Sequence, residues 1–131
     1  GLKIKHKNHV LVGVDTSGSV SSEELVEFMH ELGHMHRTGN TITVAQFDTQ
    51  ITDISLFDPK KSWEIKGRGG TYFQPVIDHY NDPKTKYSGF ICLTDGEADN
   101  PNNCPKNALW VHSSKTNRIN EDLTGIKIQL N

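Results

Sequence analysis

HVLVGVDTSGSVSSEEL, residues 9–25, is the stretch on which the reading of this chain turns. Val10, Leu11, Val12 and Val14 make a near-continuous apolar run, the pattern of a central strand covered on both faces. The run ends abruptly in Asp15, Thr16, Ser17, Gly18 and Ser19. Asp15, Ser17 and Ser19 set a carboxylate and two hydroxyls at alternate positions in the turn leaving that strand, where an open α/β sheet binds its ligands. Oxygen donors of this kind suit a hard divalent cation, and Mg²⁺ fits best because it keeps waters and takes contacts of about 2.0–2.1 Å. Ser21 and Glu24 fit the Ser-x-x-Glu box that starts a helix. A helix start, however, requires no carboxylate at the tip of a buried strand, so Asp15 calls for another explanation.

Outward from this stretch the chain alternates helix and strand. Leu25, Phe28, Leu32 and Met35 recur at spacings of three and four and predict an amphipathic helix over 21–37, stopped by Gly39-Asn40. TITVAQF (41–47) and ITDISLF (51–57) read as strands only three residues apart. That gap is too short for a parallel crossover and predicts an antiparallel hairpin at the sheet edge. The glycines of Gly67-Arg68-Gly69-Gly70 allow a tight turn before Thr71, and a short helix follows over roughly 73–81. YSGFICL (87–93) is a second buried strand, leading into Thr94-Asp95-Gly96-Glu97, so both central strands terminate in carboxylates. Residues 109–111 and 126–130 read as further strands. No long helical pattern follows residue 82, which predicts a thinly covered face on the far half of the sheet.

The 131 residues make one domain, with a single core. A net charge of −2 gives no electrostatic case for nucleic acid, and the basic start at Lys3, Lys5, His6, Lys7 and His9 reads as a solvated terminus. No apolar run reaches membrane-spanning length and no signal peptide is visible. Cys92 and Cys104 lack CxxC spacing; Cys92 lies in an apolar run and reads as a buried thiol. Sparse cysteine without a signal favours a reducing, cytoplasmic setting. Opening on Gly1 rather than methionine fits a processed, tagged or excised chain, with the C-terminal part of a longer protein as the expectation.

DTSGS at 15–19, GGT at 69–71 and LTDGE at 93–97, taken together and in this order, resemble the von Willebrand factor A domain and its metal-ion-dependent adhesion site (MIDAS). The resemblance spans nearly the whole chain. It implies a Rossmann-like α/β fold with a mostly parallel sheet and one antiparallel edge strand. It also implies a Mg²⁺ or Mn²⁺ site built from Asp15, Ser17, Ser19, Thr71 and Asp95. In the family the two serines ligate directly, the threonine directly or through water, and the aspartates directly or by holding waters, while a partner's carboxylate commonly completes the shell. The chain departs from the family in its reduced helix complement. It looks most like the compact VWA-like domains of bacterial and phage proteins whose upstream region resembles a metallopeptidase. The function so implied is metal-dependent binding of a protein partner presenting an acidic side chain, with AAA-type ATPases as partners by family analogy.

Rival readings rest on other residues. His30-Glu31-Leu32-Gly33-His34 satisfies His-Glu-x-x-His, the zinc-peptidase helix signature, with His36 nearby. Against it, both histidines lie off the core stripe, Gly33 loosens the helix between them, and no glycine-rich continuation with a third histidine follows. A haloacid-dehalogenase-type phosphatase would need a carboxylate two residues after Asp15, where Ser17 stands. A third alternative is a structural domain with a vacant site. Arg68 could join a phosphate-binding nest but reads better as a turn arginine in solvent. Asp48, Asp53, Glu97 and Asp99 are candidates for the metal's rim, Asp48 and Asp99 reading better as turn caps. Trp63, Trp110, His79 and His112 read as structural.

Overall fold

The apolar run at residues 10–14 sits at the middle of a six-stranded sheet. The computed structural model describes residues 8–131, so the basic positions before residue 8 lie outside the described residues. In chain order the elements are β1 (His9–Asp15), α1 (Ser22–Arg37), β2 (Thr41–Phe47), β3 (Ile51–Leu56), α2 (Gln74–Asn81), β4 (Gly89–Thr94), β5 (Leu109–His112) and β6 (Ile126–Gln129). They lie across the sheet in the order β3-β2-β1-β4-β5-β6. All neighbours are parallel except β2 and β3, the expected edge hairpin. Two helices and a mostly parallel sheet with one antiparallel edge pair make the α/β architecture that the sequence predicts.

Alternation along the strands divides the core in two. Val12 and Val14 of β1 face α1, where Leu25, Phe28 and Leu32 cover them, while Leu11 faces Phe73, Val76 and Ile77 at α2. Full burial of each such side chain stabilises by about 1.5–3 kcal/mol. Cys92 and Trp110 belong to the α2 side and are fully buried; burial pushes the Cys92 thiol well above its usual range, which keeps it inert. Trp63 is half-buried against the α1-side core. Helix α1 begins with the reciprocal capping box, Ser21 Oγ accepting from Glu24 N and Glu24 Oε1 from Ser21 N at 3.0 Å.

Several boundaries differ from expectation. β4 starts at Gly89 rather than Tyr87, since the ladder with β1 begins at Val10↔Gly89 and Tyr87 packs instead on the rings of His9, His79 and Tyr80. α2 starts at Gln74 behind Phe73, which has no capping side chain, and β3 and β6 each end one residue early. The connections from β4 to β5 and from β5 to β6 contain no helix. Register places Ile126 and Ile128 beside Leu109 and Val111, on the same face as α1, and both are exposed, as are Val26 and Met29 of α1. The thin cover anticipated for the far half of the sheet is therefore present.

Candidate functional site

The carboxyl ends of β1 and β4 are adjacent, and this adjacency assembles the oxygen donors. Asp15 is fully buried; its Oδ1 accepts from Ser17 N at 2.9 Å and its Oδ2 from Thr94 Oγ1 at 2.6 Å. Ser17 and Ser19 place their hydroxyls 3.1 Å apart, and Ser19 Oγ donates to Asp95 Oδ2 at 2.6 Å. Asp95 in turn accepts from Glu97 N at 3.0 Å. Asp15, Ser17, Ser19 and Asp95 thus form one contiguous set, although Ser19 and Asp95 are 76 positions apart in sequence.

Thr71 arrives on a different support. Gly18 N donates to Gly69 O at 2.8 Å, and Arg68 Nη2 donates to the Val20 carbonyl at 2.6 Å, so the 67–70 loop is docked on the serine turn. Gly67 has a φ of +110° and a Cβ there would lie 2.8 Å from Thr16 Oγ1, so this loop requires glycine. Thr71 follows directly, half-buried, and its hydroxyl is not part of the hydrogen-bonded set of the other four. Arg68 is exposed, as expected of a turn arginine, and its guanidinium also holds the two loops together.

The other rim candidates differ. Asp53 pairs with Lys66 at 3.2 Å and Asp99 is exposed, while Glu97, also exposed, lines one hollow with Ser19 and Asp95. Asp48 does more than cap its turn: Oδ1 accepts from Gln50 N at 3.2 Å and Oδ2 from Gly69 N at 3.1 Å. Burial raises its proton affinity, but these N–H groups outweigh that and hold the carboxyl below its ordinary value. Asp48 therefore fastens the glycine loop on which Thr71 depends.

Further supporting residues lack a motif signal. Thr94 accepts from Gly96 N at 3.0 Å while donating to Asp15. His112, fully buried, accepts from Asn120 N at Nε2 and so carries its proton on Nδ1, toward the Ile128 carbonyl at 3.2 Å. Burial holds its pKa below the usual histidine value, keeping the ring neutral. Gly96, at φ +79°, rests on that ring; a Cβ would come within 2.7 Å of it. Asn120 Nδ2 donates to Gly96 O and Ala98 O, each at 2.9 Å, which completes the seat of the Asp95 loop. Only the adjacency of β4 to β1 on one side and to β5 on the other makes these roles visible.

The donor set fits a hard divalent cation. Burial raises the Asp15 pKa to about 6, partly offset by the bonds from Ser17 and Thr94 and augmented by the charge of Asp95. A buried carboxylate that resists ionisation gains most from a neighbouring positive charge, and two further hydroxyls and a second carboxylate adjoin it. By contrast, His30 and His34 are exposed along an open groove on α1 with Met29, Glu31, Gly33 and Arg37. Among the described residues no three His, Cys, Asp or Glu side chains come together to hold a metal, so a zinc ion on the helix would lack a third such ligand.

A profile of the VWA-like domain (DUF2201) family matches residues 10–123, from the first apolar position of β1 to the residues before β6. The chain belongs to that family. An uncharacterised protein of Thermotoga maritima is 32% identical over 105 residues, covering 77% of this chain and 26% of that protein. The VWA-like domain thus spans about a quarter of the length of the relative it matches. The family match covers both strand ends that supply the oxygen cluster, and the docked glycine loop between them. No helix of the described VWA-like domain is long and apolar enough to cross a membrane.

Proposed function

We propose that this VWA-like domain is a metal-dependent protein-binding module, with a MIDAS-type site at which Asp15, Ser17, Ser19, Thr71 and Asp95 hold Mg²⁺ or Mn²⁺. The observation that carries the reading is the unbroken chain from Ser17 through Ser19 to Asp95, set beside a buried Asp15 whose proton affinity is raised. Bound there, the cation would supply an electrophilic centre for a carboxylate from the partner. The chain's residues favour that outcome by their charge. Two carboxylates balance a divalent ion without over-neutralising it, and the hydroxyl ligands are neutral donors. The Thr94 and Ser17 bonds keep the Asp15 oxygens pointed, and Asp48 and Arg68 fix the loop that brings Thr71.

An acidic protein surface is the partner chemistry this reading implies, and AAA-type ATPases are the partner class suggested by family analogy. Two free thiols, one buried, are compatible with a reducing cytoplasmic setting. The deciding experiment is calorimetric titration of the purified domain with Mg²⁺ and Mn²⁺, beside Asp15→Ala. Saturable binding lost in the variant, with its circular dichroism unchanged, supports the reading. Equal binding by both proteins would overturn it.

A further inference from the structure

The oxygen cluster opens on a cleft whose opposite wall is built from the segment after β5. The cleft, of about 300 Å³, runs from Ser19 and Asp95 past Glu97 to Thr116 and Arg118. This lies at the small end of ligand pockets, roughly 300–1,000 Å³, and suits one or two side chains rather than a cofactor.

That wall is fastened to α1. Ser113 Oγ donates to Glu24 Oε2, Ser114 N donates to Glu27 Oε1 at 2.9 Å, and Lys115 pairs with Glu23. Three successive residues are thereby tied to the first turns of the helix, and Thr116 Oγ1 lies 3.5 Å from the Asp95 carbonyl. The strap occupies Lys115. Arg118 is left exposed and, among the described residues, forms no ion pair. Its acidic neighbours Glu121 and Asp122 line a separate hollow with it and do not pair with it either. With a divalent cation balanced by Asp15 and Asp95 and Lys115 paired to Glu23, the charges remaining on the cleft are the carboxylates of Glu24 and Glu97 and the guanidinium of Arg118, the one cation lining it that, among the described residues, no ion pair occupies.

Resting on the metal-dependent reading above, we propose that Arg118 reads a second acidic side chain of the partner, adjacent to the carboxylate that the metal takes. The partner motif is then a pair of nearby acidic residues. A guanidinium fork matches a carboxylate in two places at once, which a lysine cannot do. The strapped segment presents it from a fixed support, so little ordering cost falls on binding.

The test uses capped glycine-serine hexapeptides carrying either one aspartate or two aspartates separated by one residue, titrated in Mg²⁺ by NMR chemical shifts. The two-aspartate peptide should bind the parent domain more tightly. Arg118→Gln should erase that advantage, about fivefold as for a good solvent-facing ion pair, while leaving Mg²⁺ affinity and the one-aspartate peptide unchanged. Arg118→Glu should reverse it, and added salt should shrink it. If Arg118→Gln weakens Mg²⁺ itself or both peptides equally, Arg118 supports the site and does not select the partner. If the one-aspartate peptide binds with Mg²⁺ and no preference for the second aspartate appears, this proposal alone fails. If neither peptide needs Mg²⁺, the adhesion reading falls with it.

Discussion

Two stretches of this chain match metal-binding patterns, and their surroundings differ in every respect that matters. At the carboxyl end of β1, Asp15 is fully buried and each of its oxygens has a defined donor. On α1, His30 and His34 stand in solvent along an open groove, with Arg37 beside them. The first pattern is scattered through the sequence and is gathered by the fold. The second is contiguous and comes with no fold around it. A metal centre is specified by what positions its ligands, and spacing along one helix supplies only the first part of that.

The largest expected effect comes from removing a carboxylate at the strand ends. Asp15→Ala or Asp95→Ala should reduce Mg²⁺ affinity by more than about a hundredfold, beyond the usual cost of losing an outer-shell partner, with the sheet still folded by circular dichroism. Equal loss in His30→Ala would erase the contrast between the two sites. Next is Thr94→Val, which removes the donor to Asp15 Oδ2 and leaves Gly96 N unpaired. A loss of about 10–100-fold in metal affinity is expected by calorimetry.

Acidity sharpens the contrast further. With Asp15 at about 6, the metal must displace a proton below that pH, so apparent affinity should fall about fivefold from pH 6 to 5, approaching about tenfold per unit below that. In the metal-free protein the sign is opposite. The folded-state pKa is raised above 3.8, so this group favours folding below 3.8, and that contribution is lost as pH rises to about 6. Asp15→Asn should accordingly stabilise the metal-free domain at pH 7, by up to about 3 kcal/mol at 1.36 kcal/mol per unit, while destroying the site. Chemical denaturation of both proteins at pH 4 and 7 measures this. The smallest effect belongs to the double variant His30→Ala, His34→Ala: Mg²⁺ affinity and stability unchanged within about 0.5 kcal/mol, as for exposed positions generally. Tightly held stoichiometric zinc in the parent, lost in the double variant, would reinstate the peptidase reading.

Periodicity was enough to read β1, α1 and the edge hairpin, because burial on one or both faces writes itself directly into residue order. It also located two ends of the candidate site, since Asp15 and Asp95 each follow an apolar run. The supporting residues carried no such mark. Thr94 is an ordinary polar residue until β1 and β4 are neighbours, and Asp48 resembles any turn aspartate until Gly69 N is found on its oxygen. His112 reads as structural from the sequence, and its role is structural, but the place it supports, the glycine of the Asp95 loop, has no mark in residue order. The β4 boundary slipped because Tyr87 has strand chemistry but spends its ring on histidines rather than on the ladder.

The bonds from Thr94 to Asp15 and from Ser19 to Asp95 cross the seam between β1 and β4, midway along the sheet. A cation lodged there would rivet one half of the molecule to the other. Heating or pulling the protein apart would then have to extract the ion, so the melting temperature should climb with Mg²⁺ concentration. At a hundred times the dissociation constant the gain is about 2.7 kcal/mol.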